Sequence, residues 1–188
     1  MTKIAFIGGG NMARALIGGL LNSGTSAEQL LVAEPQAEAA ASLRDDFGVV
    51  VDSDNDEIVA QADCLVLAVK PQVVKMVAQQ MAPAVQAKKP LVVSIVAGIP
   101  MDSLDQWLGG GVSLVRTMPN TPALVGLGIA ALFANKRASE QQRQLAEQIL
   151  AAAGTTLWVE NEVLLDAVTA VSGSGPAYFF RVMEAMIE

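Results

Sequence analysis

The sequence predicts an α/β fold built on a doubly wound, mainly parallel sheet, and three observations carry that reading. Short apolar blocks alternate with longer helical-looking stretches over most of the 188 residues. Most blocks are continuous runs of Val, Ile, Leu and Ala with no apolar–polar alternation, the pattern of strands buried on both faces. A glycine-rich turn, Gly8-Gly9-Gly10, joins the first block to the first helical stretch.

The elements follow in order. Strands are expected at Lys3–Ile7, Leu30–Ala33, Val49–Val51, Cys64–Val69, Leu91–Ile95, Val112–Arg116, Ile129–Phe133 and Thr155–Val159. Helices are expected at Asn11–Asn22, Gln36–Phe47, Pro71–Met81 and Ser139–Ala152. Pro71 suits a first helical position, where its missing N–H would be unpaired anyway. This alternation reads as βαβ units, and it continues to about residue 159. Beyond it, Asn161–Val171 reads as a helix with Val163, Leu164, Ala167, Val168 and Val171 at helical spacing. Ser172-Gly173-Ser174-Gly175-Pro176 then reads as a break, with a capping Ser and Pro just inside a new helix. That helix carries Phe179, Val182, Met183, Met186 and Ile187 along one face. Residues 1–159 are therefore expected to form one domain, and 160–188 the incomplete start of another.

Composition removes several kinds of chemistry. The chain has no His and one Cys, which excludes a Ser-His-Asp triad, a Cys-His pair, a histidine-ligated metal and an internal disulfide. No metal site is expected. Twelve basic against nineteen acidic residues give a net charge of −7, and the basic pairs Lys88-Lys89 and Lys136-Arg137 are too short for a nucleic-acid track. Mean hydropathy is +0.42. The longest apolar stretch, Ala123 to Ala134, is interrupted by Gly126 and Gly128 and falls short of the roughly 18–20 residues of a membrane-spanning helix. The expectation is a cytoplasmic protein with neither nucleic-acid nor membrane partners.

The strongest chemical signal is Gly8-Gly9-Gly10-Asn11-Met12-Ala13 after Ile7, which fits G-x-G-x-x-A between a strand and a helix. In this Rossmann-type arrangement Gly8 makes the tight turn, Gly10 admits a pyrophosphate to the backbone, and Ala13 lets the helix pack on the strand. The helix N-terminus offers free N–H groups to the phosphates, so an acidic protein can bind an anionic dinucleotide locally. Glu34 closes the second strand, where a carboxylate can accept from an adenosine ribose and disfavours a 2′-phosphate. A solvated Glu before Pro35 is the alternative.

Five segments occur together: FIGGGNMA at the start, LAVKPQ at Leu67–Gln72, VSIVAGI at Val93–Ile99, MPNTP at Met118–Pro122 and DAVTAVSGSGPAYFF at Asp166–Phe180. Over residues 1 to 188 the chain closely resembles bacterial pyrroline-5-carboxylate reductase. The resemblance implies NAD(P)H-dependent reduction of the cyclic imine 1-pyrroline-5-carboxylate to L-proline, the last step of proline biosynthesis. It also implies a Rossmann-type domain followed by the first helices of an all-α dimerisation domain, with self-association through the C-terminal helices. NADPH is the expected cofactor, with NADH possible.

Carried over, the resemblance places the cofactor on Gly8, Gly10, Asn11, Met12 and Ala13, on Asn55, on Ala68, Val69, Lys70 and Pro71, and on Val96, Ala97 and Gly98; Ile7 before the turn and Glu34 at the end of the second strand complete the expected cofactor-binding set. Asn55 also reads as a turn residue within Asp52–Asp56, and Lys70 as a solvated side chain. Met118, Asn120 and Thr121 are implied at the substrate pocket, on a loop stiffened by two prolines. No catalytic residue is assigned in this chain. The family's substrate loop lies in its later helical domain, so the proton donor is expected beyond Glu188, and Glu160 and Glu162 read as solvated carboxylates. The competing expectations are a dinucleotide-binding fragment without turnover and a related hydroxy-acid dehydrogenase. Micromolar dinucleotide binding with little reductase activity is expected of this chain alone.

Overall fold

A computed structural model describes residues 1–187. One eight-stranded sheet, ordered β3-β2-β1-β4-β5-β6-β7-β8, organises it. The strands are β1 (Ile4–Ile7), β2 (Leu30–Ala33), β3 (Val50–Asp52), β4 (Cys64–Leu67), β5 (Leu91–Ser94), β6 (Leu114–Met118), β7 (Gly128–Ala134) and β8 (Gly154–Trp158). The first six pair in parallel, β7 runs antiparallel to β6, and β8 lies parallel to β7. The expected doubly wound, mainly parallel α/β sheet is what forms, with all eight strands within a few residues of their sequence positions.

Burial explains why the strands were legible. In β1, β2, β4 and β5 every residue is buried, because helices cover both faces. One layer packs Leu16, Ile17, Leu43 and Ile149 against Phe6, Val32 and Val66. The opposite layer packs Val59, Val74, Met81 and Leu104 against Ile7, Leu31 and Leu65. Burying a side chain of this size contributes about 1.5–3 kcal/mol, so this two-sided core holds the sheet.

The helices are α1 (Asn11–Asn22), α2 (Ala37–Phe47), α3 (Asn55–Gln61), α4 (Pro71–Lys88), α5 (Met101–Trp107), α6 (Glu140–Ala151), α7 (Leu164–Val168) and α8 (Gly175–Ile187). Two of them, α3 and α5, have no counterpart in the sequence reading. The turn expected at Asp52–Asp56 instead ends in a helix start: the Asp54 carboxylate accepts from the Asp56 N–H at 2.8 Å, and Ile58 and Val59 anchor the short helix beneath the sheet. Helix α4 runs through Pro83 to Lys88, well past the expected end at Met81. The hydrogen bond forfeited at Pro83 is outweighed by the face of Val74, Ala78, Met81 and Val85, all fully buried.

The expected break at Ser172–Pro176 does not occur. From α7 the chain passes through a π-helical turn, Thr169–Gly173, and Ser174 keeps helical dihedrals of −92° and −30° before α8 begins. The reason is local. The Thr169 hydroxyl donates to the Leu165 carbonyl at 2.7 Å and the Ser172 hydroxyl to the Val168 carbonyl at 3.1 Å, bonding back along the helix rather than capping a new one. The Ser174 N–H reaches the Thr169 carbonyl at 2.9 Å, five residues back. The expected apolar face is also rotated: Leu165 is buried, whereas Val163, Leu164 and Val171 are exposed.

Cys64 sits in β4 with no exposure, and burial first, then the adjacent Asp63 carboxylate, push its thiol well above the usual range. Only the thiolate alkylates readily. Iodoacetamide should therefore leave Cys64 unmodified in the native chain and label it fully in urea, as read by intact mass.

Candidate functional site

Strand register brings the candidate residues together. Across the sheet, Asp52, Ala33, Ile7, Leu67, Ser94 and Arg116 pair as one row, which closes β3, β2, β1, β4 and β5 and crosses the middle of β6. The residues that leave this row into loops include Glu34, Gly8 and Ala68. Open α/β sheets bind ligands at this edge, where the order reverses between strands winding to either side of the first. Here that point lies between β1 and β4, flanked by Gly8–Gly10 and Ala68–Pro71.

The glycine turn is shaped by its neighbours. Gly8 adopts φ +95°, and a Cβ there would come within 3.0 Å of the Ala68 carbonyl oxygen. Its N–H donates to the Ala33 carbonyl at 2.9 Å. Gly10 differs: its φ is −70° and a Cβ would meet nothing within 4 Å, so open space lies before it. Gly10 caps α1 without a side-chain hydrogen bond, and the first turn carries no acidic residue. The amides at the start of α1 are thus left for an outside acceptor, which the helix dipole favours as an anion. Asn11 is exposed, Met12 half-buried and Ala13 fully buried against the sheet. A pyrophosphate fits this cradle.

The remaining candidates divide by what their side chains do. Glu34 is half-buried and accepts from the Gly9 N–H at 3.0 Å and the Gln36 N–H at 3.0 Å. Gly9 occupies a variable position of the motif, yet a Cβ there would stand 2.4 Å from Leu43 Cδ1 and 3.3 Å from the Glu34 carboxylate. Val96 is buried beneath exposed Ala97 and Gly98, and its N–H donates to the Ser94 hydroxyl at 3.3 Å. Lys70 and Pro71 are exposed, with Lys70 capping α4. Asn55, the first residue of α3, lines a depression with Asp54, Asp56 and Gln80.

Two ties attach the C-terminal segment to the sheet, and neither was foreseen. Arg116 in β6 has a side chain only 8% exposed, and its guanidinium donates to Glu162 Oε1 at 2.7 Å, with Asp166 Oδ1 3.6 Å away. The same Glu162 oxygen accepts from the Met101 N–H at 2.7 Å. The expectation of a solvated Glu162 is corrected: a buried guanidinium requires a partner carboxylate. The signal in the sequence was Arg116 itself, a charge within Leu114-Val115-Arg116-Thr117.

Asn120 forms the second tie. It is 8% exposed, accepts from the Ile129 N–H at 2.9 Å and donates from Nδ2 to the Ser172 carbonyl at 3.3 Å. That carbonyl lies four residues before Pro176, which has no N–H to offer it. A Cβ on Gly173 would meet Met118 Cε at 2.8 Å, so the loop and the π turn are in close contact. Of the three implied pocket residues, Met118 is half-buried, Asn120 is committed to these bonds and Thr121 is exposed.

A family model described as NADP oxidoreductase coenzyme F420-dependent matches residues 3–98, and one described as pyrroline-5-carboxylate reductase dimerisation matches residues 162–188. A pyrroline-5-carboxylate reductase of Pseudomonas aeruginosa is 51% identical over 186 residues, covering 99% of this chain and 68% of that protein. The chain therefore spans about two thirds of the length of that curated relative. The Coxiella burnetii pyrroline-5-carboxylate reductase structure superposes with a TM-score of 0.93 at 39% identity, covering 98% of this chain and 68% of its own. A Plasmodium falciparum pyrroline carboxylate reductase with NADP bound gives 0.87 at 29% identity, covering 99% and 68%.

Replacing Asn120 by Ala orphans a strand N–H and a helical carbonyl together. Unfolding in urea should show a loss of about 1–3 kcal/mol, and Asn120→Asp, which keeps the acceptor but sets a buried carboxylate against the Ser172 carbonyl, should lose at least as much.

Proposed function

The chain belongs to the pyrroline-5-carboxylate reductase family, and from that premise we propose that it reduces 1-pyrroline-5-carboxylate to L-proline with a reduced nicotinamide dinucleotide held on the glycine turn. The observation that carries the reading is the uncapped start of α1, with no acidic residue in its first turn, set at the carboxyl edge of β1 beside Gly10's open approach. A bound nicotinamide dinucleotide supplies the hydride for the imine carbon. The chain's own residues bind and orient. The amides from Gly10 to Ala13 take the pyrophosphate, Glu34 and Asn55 face the adenosine side, and Ala68–Pro71 and Val96–Gly98 flank the middle of the cofactor. Met118, Asn120 and Thr121 belong to the substrate end, where Asn120 holds the loop that shields the reacting rings from water.

NADPH and NADH share the pyrophosphate that this cradle reads. Residues 1–159 serve as the dinucleotide-binding unit, and 160–188 begin a helical unit through which copies of the chain associate. The exposure of Phe179, Val182, Met183, Met186 and Ile187 on α8 and the dimerisation-model match over 162–188 support self-association. A cytoplasmic location belongs to the same reading, on the single reduced cysteine and the biosynthetic role; among the described residues no helix is long and apolar enough to cross a membrane. The hydroxy-acid dehydrogenase reading is not favoured.

The test is formation of proline and oxidised cofactor in equal amounts from 1-pyrroline-5-carboxylate in a single-turnover assay, since little sustained activity is expected of this chain alone, and absence of both would count against the assignment. Gly10→Ala separates binding from folding. With open space and φ −70° at that position, its thermal unfolding should match the parent, while its dinucleotide affinity in a calorimetric titration should fall by about tenfold or more. Sedimentation should find the chain self-associated, and Phe179→Asp with Met183→Asp should shift it to monomer.

A further inference from the structure

Residues 95–100 join β5 to α5 and leave the sheet one strand beyond β4, on the side of the glycine turn away from Glu34. The two ends of this loop are held by different parts of the chain. At its start, the Val96 N–H donates to the Ser94 hydroxyl at 3.3 Å, and the Ser94 carbonyl accepts from the buried Thr117 hydroxyl at 3.1 Å. At its end, the Met101 N–H donates to Glu162 Oε1 at 2.7 Å. Between them Ala97 and Gly98 are exposed. Gly98 takes φ +73°, and a Cβ on it would meet nothing within 4 Å, so the turn of the loop faces open space.

Glu162 comes from outside the sheet, 61 residues beyond Met101 and 46 beyond Arg116. The Arg116 guanidinium holds its carboxylate in place, and the oxygen that takes the guanidinium at 2.7 Å is the same one that takes the Met101 amide. Satisfying a buried arginine does not require a backbone amide on the same oxygen. Asp166 Oδ1, 3.6 Å from the other guanidinium nitrogen, serves the charge and no amide of the loop. Among the described residues, Ser94 and Glu162 are the side chains that hydrogen-bond the loop and the first amide of α5. Ser94 belongs to the sheet; Glu162 belongs to the segment that leads into α7 and α8.

We propose that Glu162 is a positioning residue for the nicotinamide half of the dinucleotide: by fixing the Met101 amide against Arg116, it holds residues 95–100 in the shape that this half binds. The C-terminal segment thereby sets the fit of the cofactor loop without touching the cofactor. The inference rests on the dinucleotide reading of the cradle and adds to it the residue that prepares the far side. In the sheet order this loop lies toward β6, opposite the loops after β2 and β3, so it meets the nicotinamide half rather than the adenosine half. A loop tied only at its ends loses its bound shape when one end is released, and affinity falls by the fraction of chains that no longer hold that shape. The adenosine half and the pyrophosphate, read at the start of α1, do not depend on this tie.

Calorimetric titration of the full chain with NADH and NADPH tests this, each beside the fragment that lacks its nicotinamide riboside, ADP or 2′-phospho-ADP. Glu162→Ala should weaken the dinucleotides about fivefold or more and leave the fragments within about twofold. Glu162→Gln, which keeps an oxygen for the Met101 N–H, should restore most of the loss. Arg116→Met combined with Glu162→Ala frees the same amide without stranding a buried charge and should show the same split, with circular dichroism verifying the fold. Equal losses for dinucleotides and fragments in the folded variants, or no loss for either, overturn the positioning role while leaving the cradle intact. Binding by Glu162→Gln as weak as by Glu162→Ala does the same. Failure of the parent chain to bind any of the four ligands overturns the dinucleotide reading itself.

Discussion

Parallel pairing of β1 with both β2 and β4 is the constraint on which the site depends. It places Ala33, Ile7 and Leu67 in one row, and the loops after that row carry Glu34, the glycine turn and Ala68. A shift of register on either side would separate these groups by a strand residue, about 3.3 Å, more than the hydrogen bonds among them tolerate. Complete burial of β1, β2 and β4 makes such a shift costly, because it would exchange the residues facing the two helical layers. The core thus holds this carboxyl edge in place without contributing a chemical group to it.

The same edge shows how an acidic protein accommodates an anion. The positive potential comes from backbone amides at the start of α1, oriented by the helix and left uncapped. The arginines of the flanking helices, Arg14 and Arg44, are engaged with Asp46 and the Val51 carbonyl. Binding is therefore directed by geometry over a few ångströms rather than by the long-range field, which for a net charge of −7 is repulsive to phosphates.

Beyond the sheet, two polar ties govern how the C-terminal helices meet β6 and the loop after it. Arg116 to Glu162 fixes the approach to α7, and Asn120 to the Ser172 carbonyl fixes the π turn. Both start from β6 or the loop after it, so one strand end carries the connection. Pro176 matters through what it lacks: without its N–H, the Ser172 carbonyl is free for Asn120, and the helix is joined to the loop after β6.

Much of this was legible in the chain. Most of the eight strands were identified by continuous apolar runs, the signature that burial on both faces leaves in β1, β2, β4 and β5, and Gly8–Ala13 announced the turn because close backbone approach admits only small residues. Short helices such as α3 and α5 were not legible, since seven residues offer too little periodicity and their stability comes from packing on the sheet. Ser172–Pro176 misled for a related reason: a Ser preceding a Pro suggests a cap, and the hydroxyl's preference for a carbonyl behind it is settled by the surrounding turn. The sequence by itself determined the strand order's raw material, the glycine turn and the family, all of which depend on local residue size and polarity. Only the tertiary structure decided that Glu34 closes on Gly9, that Glu162 meets Arg116 and that Asn120 reaches Ser172. Those contacts join residues distant in the chain, and their geometry exists only once the sheet has set the spacing between them.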